Sequence, residues 1–360
     1  MTTTSERPSE TLTREVSKRV SQSVFDGSPL RVVLLVDVYD GAQQQFLEAY
    51  EQLCNQVAKV PGHVSDQLCQ SIENPSQWLI TSEWESAPPF LTWVNSEEHV
   101  RMVQPLHSCV RDTRSLRFHI VRETGPASVA AKAGKRRLQA HPRIGDGVIR
   151  HALTFTVKPG SEEKVKRILA DYASPEARVD DTTRLCRTSL FMHGNRVVRA
   201  IEVRGDLLAA LRHVARQPQV RAVEEAINPY LEQDRDLDDP ESARVFFTRA
   251  ALPAVHHVSV DEQPERARLA LFYPARSGQG MRLAELLSQH DQAAAEDPAN
   301  VVLRSTVFQR DDVVVRLVDV SGTDVDALPR DAGAAGELRE LLAGEAARMD
   351  LVTDRRSPEV

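Results

Sequence analysis

The residues best placed for chemistry are four on one predicted strand. Trp78, Ile80, Ser82 and Trp84 share a face because strand side chains alternate with a period of two. Two indoles on one face offer a stacking wall to a planar ligand, and the same spacing also describes ordinary core, since aromatic side chains are usually buried. His99 and His107 follow on a predicted helix, eight residues apart and so within about 80° of one another at 3.6 residues per turn. Histidine is the side chain most readily tuned to act as a base near neutral pH, although lone helix histidines also serve at surfaces and caps. His119 alternates with Phe118 on a later strand and can face either side.

The second half of the chain offers Arg187, His193, His213, Arg249, His256 and His257. Arg187 and Arg249 can hold an anionic ligand, and a solvated strand arginine is the commoner outcome. Adjacent His256 and His257 project to opposite sides of an extended chain, which argues against a shared metal site. Cys54, Cys69, Cys109 and Cys186 are widely separated with no CxxC, so neither a zinc site nor a disulfide scaffold is expected. A flavin or nicotinamide site favours a glycine-rich turn of the GxGxxG kind, and the isolated Gly278-Gln279-Gly280 is too weak to supply one.

The elements that must position these residues repeat three times. In the first stretch a β-branched run at residues 31–39 is followed by Gly41 and a helical pattern at 42–59. Two strand candidates at 63–72 and 78–84 then join through Glu73-Asn74-Pro75-Ser76. Two short helical stretches broken near Asn95-Ser96 and an alternating strand at 115–121 complete the order β-α-β-β-α-β. The second stretch reads the same way: strand 149–157, helix 162–172, a hairpin at 183–203 turning at His193-Gly194-Asn195, helical 207–231 and strand 243–249. The third has strand 267–273, helix 281–295, a hairpin at 301–320 turning at Arg310-Asp311-Asp312, helical 338–349 and a short strand at 350–353. Gly41, Gly160 and Gly278 open the three helices about 118 residues apart, the signature of duplication.

The expected fold is α+β, three tandem ferredoxin-like βαββαβ modules that pair as dimeric α/β-barrels do. A tail at 1–28 precedes modules at 29–124, 148–258 and 259–360, with a linker at 125–147. Residues 251–266, holding Pro253 and Pro264, also read as exposed connection. Such a module leaves one sheet face bare, and three modules leave an odd one. Two modules are therefore expected to pair within the chain and the third across a homodimer axis.

Composition narrows the partners. Over 360 residues the formal net charge is -7 and the basic residues are scattered, so no nucleic-acid face is expected. The longest apolar runs are strand-length, far short of the ~20 residues of a membrane span. The polar start lacks the apolar core of a secretory signal, so a soluble, cytoplasmic protein is expected.

At IENPSQWLITSEWESAPPFLTWVNSEEHVRMVQPLH the first module resembles the antibiotic biosynthesis monooxygenases, recognised by a tryptophan ending the third strand and an F-x-x-W-x-x-S helix after it. Here these are Trp84, Phe90, Trp93 and Ser96. The second module, at DTTRLCRTSLFMHGNRVVRAIEVRGD and QPQVRAVEEAINPYLEQDRDLDDPESARVFFTRAALPAVHH, resembles the SchA/CurD-like proteins of actinomycete aromatic polyketide pathways. Members in the pradimicin and benastatin pathways are understood as oxygenases that install a quinone on an aromatic polyketide.

The resemblance implies a polycyclic polyketide substrate, dioxygen as co-substrate and no cofactor. An anthrone or naphthol ionises to an electron-rich enolate that itself reduces dioxygen, so the protein supplies a base, a donor and a dry pocket. Cyclases or an acyl carrier protein are implied partners, and the alternative role is a polyketide-binding or cyclase-accessory protein without turnover. His99, His107 and Trp84 are then the catalytic candidates, with Trp78, Ile80, Phe90, Trp93, His119 and Arg187 against the substrate. The family's anthrone oxygenases carry an asparagine four residues before the strand tryptophan, where this chain has Ile80. A haem-degrading branch carries its iron-binding histidine where this chain has Trp93, so haem is not expected. The second module has Val203 at the position of Trp84, and the third has no aromatic cluster, so its expected task is to cover a sheet.

Overall fold

The computed structural model describes residues 20–121, 145–171, 173–260, 267–297, 300–321 and 335–357. In the first segment, β2 (Leu30–Val38) lies between β4 (Gln77–Trp84) and β5 (Val110–His119), with β3 (His63–Gln70) outside β4, giving the order β3-β4-β2-β5. Leu30, Val32, Val36 and Val38 alternate onto the face covered by α1 (Gln43–Val57), α2 (Ala87–Val94) and α3 (Glu97–His107). The short α3 is well capped: Ser96 accepts from the His99 amide at 3.1 Å, and Glu97 and Glu98 lie in its positive first turn.

The second segment contains β6 (Val148–Thr156), α4 (Glu162–Ala170), β7 (Arg184–His193), β8 (Arg196–Arg204), α5 (Leu207–Ala215), α6 (Pro218–Ile227), α7 (Pro240–Ala250) and β9 (Ala251–Ser259). The third contains β10 (Ala267–Pro274), α8 (Gly280–Ala294), β11 (Val302–Arg310), β12 (Val313–Val320), α9 (Ala335–Leu341) and β13 (Ala347–Arg356). Their strands form one closed ring, β9-β11-β12-β10-β13-β7-β8-β6, sealed by pairing of β6 with β9.

Each helix-covered side faces outward and the bare sides meet inside. Phe191, Leu252, Phe308, Val315, Leu317 and Met349 form an apolar plug there. Beside the plug lies a buried ionic web. Arg187 holds Asp354 through two bonds of 2.8 and 2.6 Å, and Arg268 holds Asp319 at 2.7 and 3.0 Å and Glu202 at 2.6 Å. Ser189 bridges Arg268 and Asp354 at 2.9 and 2.7 Å, so the web ties strands of both segments. The third segment buries a further pair beneath α8, where Asp291 accepts from Arg316 and, at 2.6 Å, from Ser305.

Several expectations need correction. Residues 243–249 are helix, not strand. Asp239 caps α7 by accepting from the Glu241 amide at 3.0 Å, Pro240 occupies its first position, and Phe246 and Ala250, four apart, face the core. The fourth strand is instead β9, in the stretch read as exposed connection. It tolerates Pro253 because β11 pairs with it only from Ala254 onward. Within 338–349 the helix ends at Leu341, and the final strand runs ten residues from Ala347. β5 also begins earlier than predicted, at Val110.

The predicted tail contributes β1 (Val20–Ser23), which extends the barrel by pairing with the far half of β9. Residues 1–19 and most of the predicted linker, 122–144, lie outside the described residues.

The first segment docks on the outside of the barrel. Its Trp84, Phe90 and Leu91 share one apolar cluster with Val255 of β9 and with Leu283 and Leu287 of α8. Gly280 permits a related close approach, since a β-carbon there would sit 1.8 Å from the Asp311 carbonyl oxygen of the β11–β12 turn. The Gly278-Gln279-Gly280 stretch thus serves helix packing.

Candidate functional site

Trp78, Ile80, Ser82 and Trp84 do share a face, opposite Val36, Leu34, Val32 and Leu30, and that face lies beneath the helices. Trp84 is fully buried at 0% exposure and its indole N–H donates to Ser82 Oγ at 3.0 Å. Trp93 stacks on it at 5.4 Å with a 28° tilt, while Phe90 meets it edge-on at 5.4 Å. Trp78 belongs to a neighbouring cluster, packed on Phe46 with Ile80 at its margin.

The imidazole set against Trp84 is none of those expected from the sequence. His63, the first residue of β3, sits opposite Trp84 in the ladder and meets its indole edge-on at 5.1 Å. Its Nε2 lies 2.9 Å from Asp66 Oδ2. Tyr50 of α1 completes this polar corner, its pKa pushed up to about 12 by burial and by the Asp66 carboxylate. Gly62 makes the arrangement possible: its φ of +82° suits glycine, and a β-carbon there would come 2.7 Å from Pro89 of α2. The available signal was Pro61-Gly62 directly before His63, three residues ahead of a carboxylate.

The other expected bases are scattered. His99 packs edge-on against Trp93 at 4.4 Å, and burial, aided by the charge of Arg310, lowers its pKa to about 4, so the ring is neutral at pH 7. Its Nδ1 has no hydrogen-bond partner among the described residues. His107 lies apart from the indoles, its Nδ1 3.2 Å from Glu241 on α7, where it joins the first segment to the second. His119 is in register with Leu30 and 3.9 Å from Asp26. Arg187 is deep in the barrel web, remote from the tryptophans, and His256 and His257 do face opposite sides of β9. His257 Nδ1 meets Thr306 Oγ1 at 2.9 Å inside the barrel, whereas His256 lies outside, near Asp291 and Arg316.

A surface groove of about 590 Å³ opens over Trp93, with Val60, Pro61 and Pro89 forming apolar walls and Lys59 and Glu98 at its edges. A second cleft, of about 1000 Å³, lies where β10 and β13 diverge after only three paired residues. It is bordered by Arg187, Arg268, Met349 and Asp354. Among the described residues no group of three or more histidine, cysteine or acidic side chains is gathered to hold a metal ion. No described helix is long and apolar enough to cross a membrane.

These features define an α+β protein in which an indole–imidazole site on a four-stranded sheet is carried by a closed eight-stranded barrel. Residues 29–105 match the antibiotic biosynthesis monooxygenase family and residues 148–260 the SchA/CurD like domain. Protein SchA of Streptomyces halstedii is 57% identical over 95% of this chain and 97% of its own length. Polyketide synthase CurD of Streptomyces cyaneus is 65% identical over 85% of this chain and 82% of its own. The 42.8 kDa protein in the whiE locus of Streptomyces coelicolor is 64% identical over 86% and 77%. The chain belongs to the SchA/CurD family. Among solved structures, SnoaB of Streptomyces nogalater, a cofactor-independent oxygenase, is 17% identical. The match covers 28% of this chain and 98% of that one, with a TM-score of 0.26.

Proposed function

We propose that the chain oxidises an aromatic polyketide intermediate, anthrone or naphthol to quinone, using dioxygen without a cofactor, at the first segment. The observation that carries this reading is the His63–Asp66 pair set against Trp84, beside an apolar groove floored by Trp93. The family match over residues 29–105 and the relative named a polyketide synthase support it.

His63, whose Nε2 lies 2.9 Å from the Asp66 carboxylate, takes a proton from the substrate's reacting CH₂ carbon. The resulting enolate passes one electron to dioxygen, and the radical pair closes a C–O bond to give a peroxide. Protonation of its outer oxygen and loss of the second hydrogen of that carbon as a proton break the O–O bond. The carbon becomes C=O and one oxygen leaves as water. Neutral His99 keeps the far edge of Trp93 in place, and the apolar walls exclude water that would otherwise stabilise the ground-state charge. The chain on this reading comprises three copies of one βαββαβ unit, with the bare face of the first sheet, where Leu35 and Phe118 are exposed, meeting a second copy.

The alternative reading, a polyketide-binding or cyclase-accessory protein, is favoured by Trp84 being wholly filled in by Phe90, Trp93 and His63, and by Ile80 in place of a polar donor. Purified, metal-free protein incubated with an anthrone decides between them. Oxygen uptake above the buffer rate, lost in His63→Phe, supports the enzyme. Tight anthrone binding with uptake no faster than buffer establishes the accessory role.

A further inference from the structure

We propose that one end of the barrel is a binding site for a phosphate or phosphate monoester, centred on Arg196. A cavity of about 200 Å³ opens there, lined by Thr154, Arg196 and Arg249 of the second segment, Arg310 and Asp311 of the third, and Glu97 of the first. It is distinct from the indole–imidazole corner and draws on all three segments.

Charge accounting singles out Arg196. Arg249 grips both oxygens of Glu97 at 3.0 and 2.9 Å. Arg310 is committed to the carbonyls of Thr248 and Asn95 and lies 3.6 Å from Asp311. Arg196 has no carboxylate within ion-pair distance among the described residues. Its Nη1 donates to Thr154 Oγ1 at 3.2 Å, and its guanidinium stacks 5.1 Å over the Phe272 ring. Thr154 uses its own hydrogen on the Val197 carbonyl at 3.0 Å. The carboxylate whose charge acts on Arg196 is Glu232, which is itself engaged in accepting from Asn195 Nδ2 at 3.0 Å.

A guanidinium carries five N–H donors in a fixed fork, and Arg196 spends one of them on the protein. Partial burial makes the bare cation costly, so its pKa is lowered, and an anion with several acceptor oxygens relieves that cost. A phosphate dianion offers the unspent donors of Arg196 more acceptor oxygens and more charge than a carboxylate does. It meets the Arg196 fork on one side and draws exposed Arg249 from Glu97 on the other.

The test is calorimetric titration of the full chain with inorganic phosphate, phenyl phosphate and acetate in chloride buffer. Wild type should bind either phosphate saturably at one site and acetate at least about tenfold more weakly, and Arg196→Gln should weaken phosphate by at least about tenfold. Equal affinity for the two phosphates indicates recognition of the headgroup alone, and tighter phenyl phosphate indicates an ester seated on Phe155 and Phe246; either outcome supports the site. Arg221→Gln, on a surface residue paired with Glu225 and Asp238, should bind as wild type. Should Arg196→Gln fail to fold, mapping phenylglyoxal modification of wild type replaces it: phosphate should protect Arg196 and leave Arg221 reactive. No saturable phosphate binding, acetate binding as tight as phosphate, or unprotected Arg196 overturns the proposal.

Discussion

Arg310 Nη2 donates to the carbonyl oxygen of Asn95 at 2.8 Å, joining the turn between β11 and β12 to the corner between α2 and α3. The same guanidinium reaches the Thr248 carbonyl at the end of α7, so one side chain ties all three segments. Asn95 lies between Trp93 and His99, and the position of the indole–imidazole site is thereby set by the barrel as well as by its own sheet. A charge-assisted bond to a carbonyl is worth about 1.5–3 kcal/mol.

Replacing Arg310 with methionine keeps most of its apolar stem and removes these donors. The expected loss is about 3 kcal/mol, read as a shift in urea midpoint. Tryptophan fluorescence should respond as well, because Trp93 sits next to the released corner. An unchanged midpoint would show that the Arg310 bonds contribute nothing to holding the three segments together.

The barrel web should behave differently when broken singly and when replaced whole. Asp319→Leu alone leaves Arg268 and Arg187 short of a buried counter-charge, at a cost of about 3–5 kcal/mol. A combined Arg268→Met, Asp319→Leu change removes both partners and should recover a substantial part of that loss in a double-mutant cycle. Simple additivity of the two single losses would contradict a coupled pair.

Acid sensitivity follows from the buried imidazoles. His99 and His151 each drop from 6.5 to about 4 in the folded chain, mainly through burial. The unfolded chain therefore binds more protons between these values. The stability tied to each ring is complete above pH 6.5 and is lost as pH falls through 6.5 to 4, up to about 3 kcal/mol per ring. His99→Phe should flatten the decline between pH 7 and pH 4.5 by about 2–3 kcal/mol in urea titrations. Parallel wild-type and variant curves would rule out a neutral His99.

Most strands and their hairpins were legible because alternation and turn residues coincide, as at His193-Gly194-Asn195 and Arg310-Asp311-Asp312. The failures lie where composition misled. Val245-Phe246-Phe247 reads as strand by residue type, but Asp239 and Pro240 start a helix that buries Phe246. β9 was missed because Pro253 suggested a loop, whereas the strand's neighbours change at that residue. Trp84, Phe90 and Trp93 were found together because a short motif brings them together. His63 was missed because its nearness to Trp84 is a pairing across two strands, which sequence spacing does not display.

A last consequence concerns His256. It is 3% exposed on the outer side of β9, and neither ring nitrogen has a hydrogen-bond partner among the described residues. A polar side chain buried without a partner costs about 1–3 kcal/mol, more than an apolar side chain of similar size. The nearby Asp291 does not offset this, because its two oxygens are engaged by Arg316 and Ser305. Its attraction would act on a charged ring, while burial and the Arg316 charge hold the His256 pKa below the ordinary value. His256→Leu should therefore stabilise the protein by about 1 kcal/mol at pH 7. The gain should grow below pH 6.5, where the unfolded wild type takes up a proton that the leucine variant lacks. Urea denaturation at pH 7.5 and pH 5.5 measures both effects. A loss of stability at the higher pH would mean that the ring has a partner, and a buried water is then the group to seek.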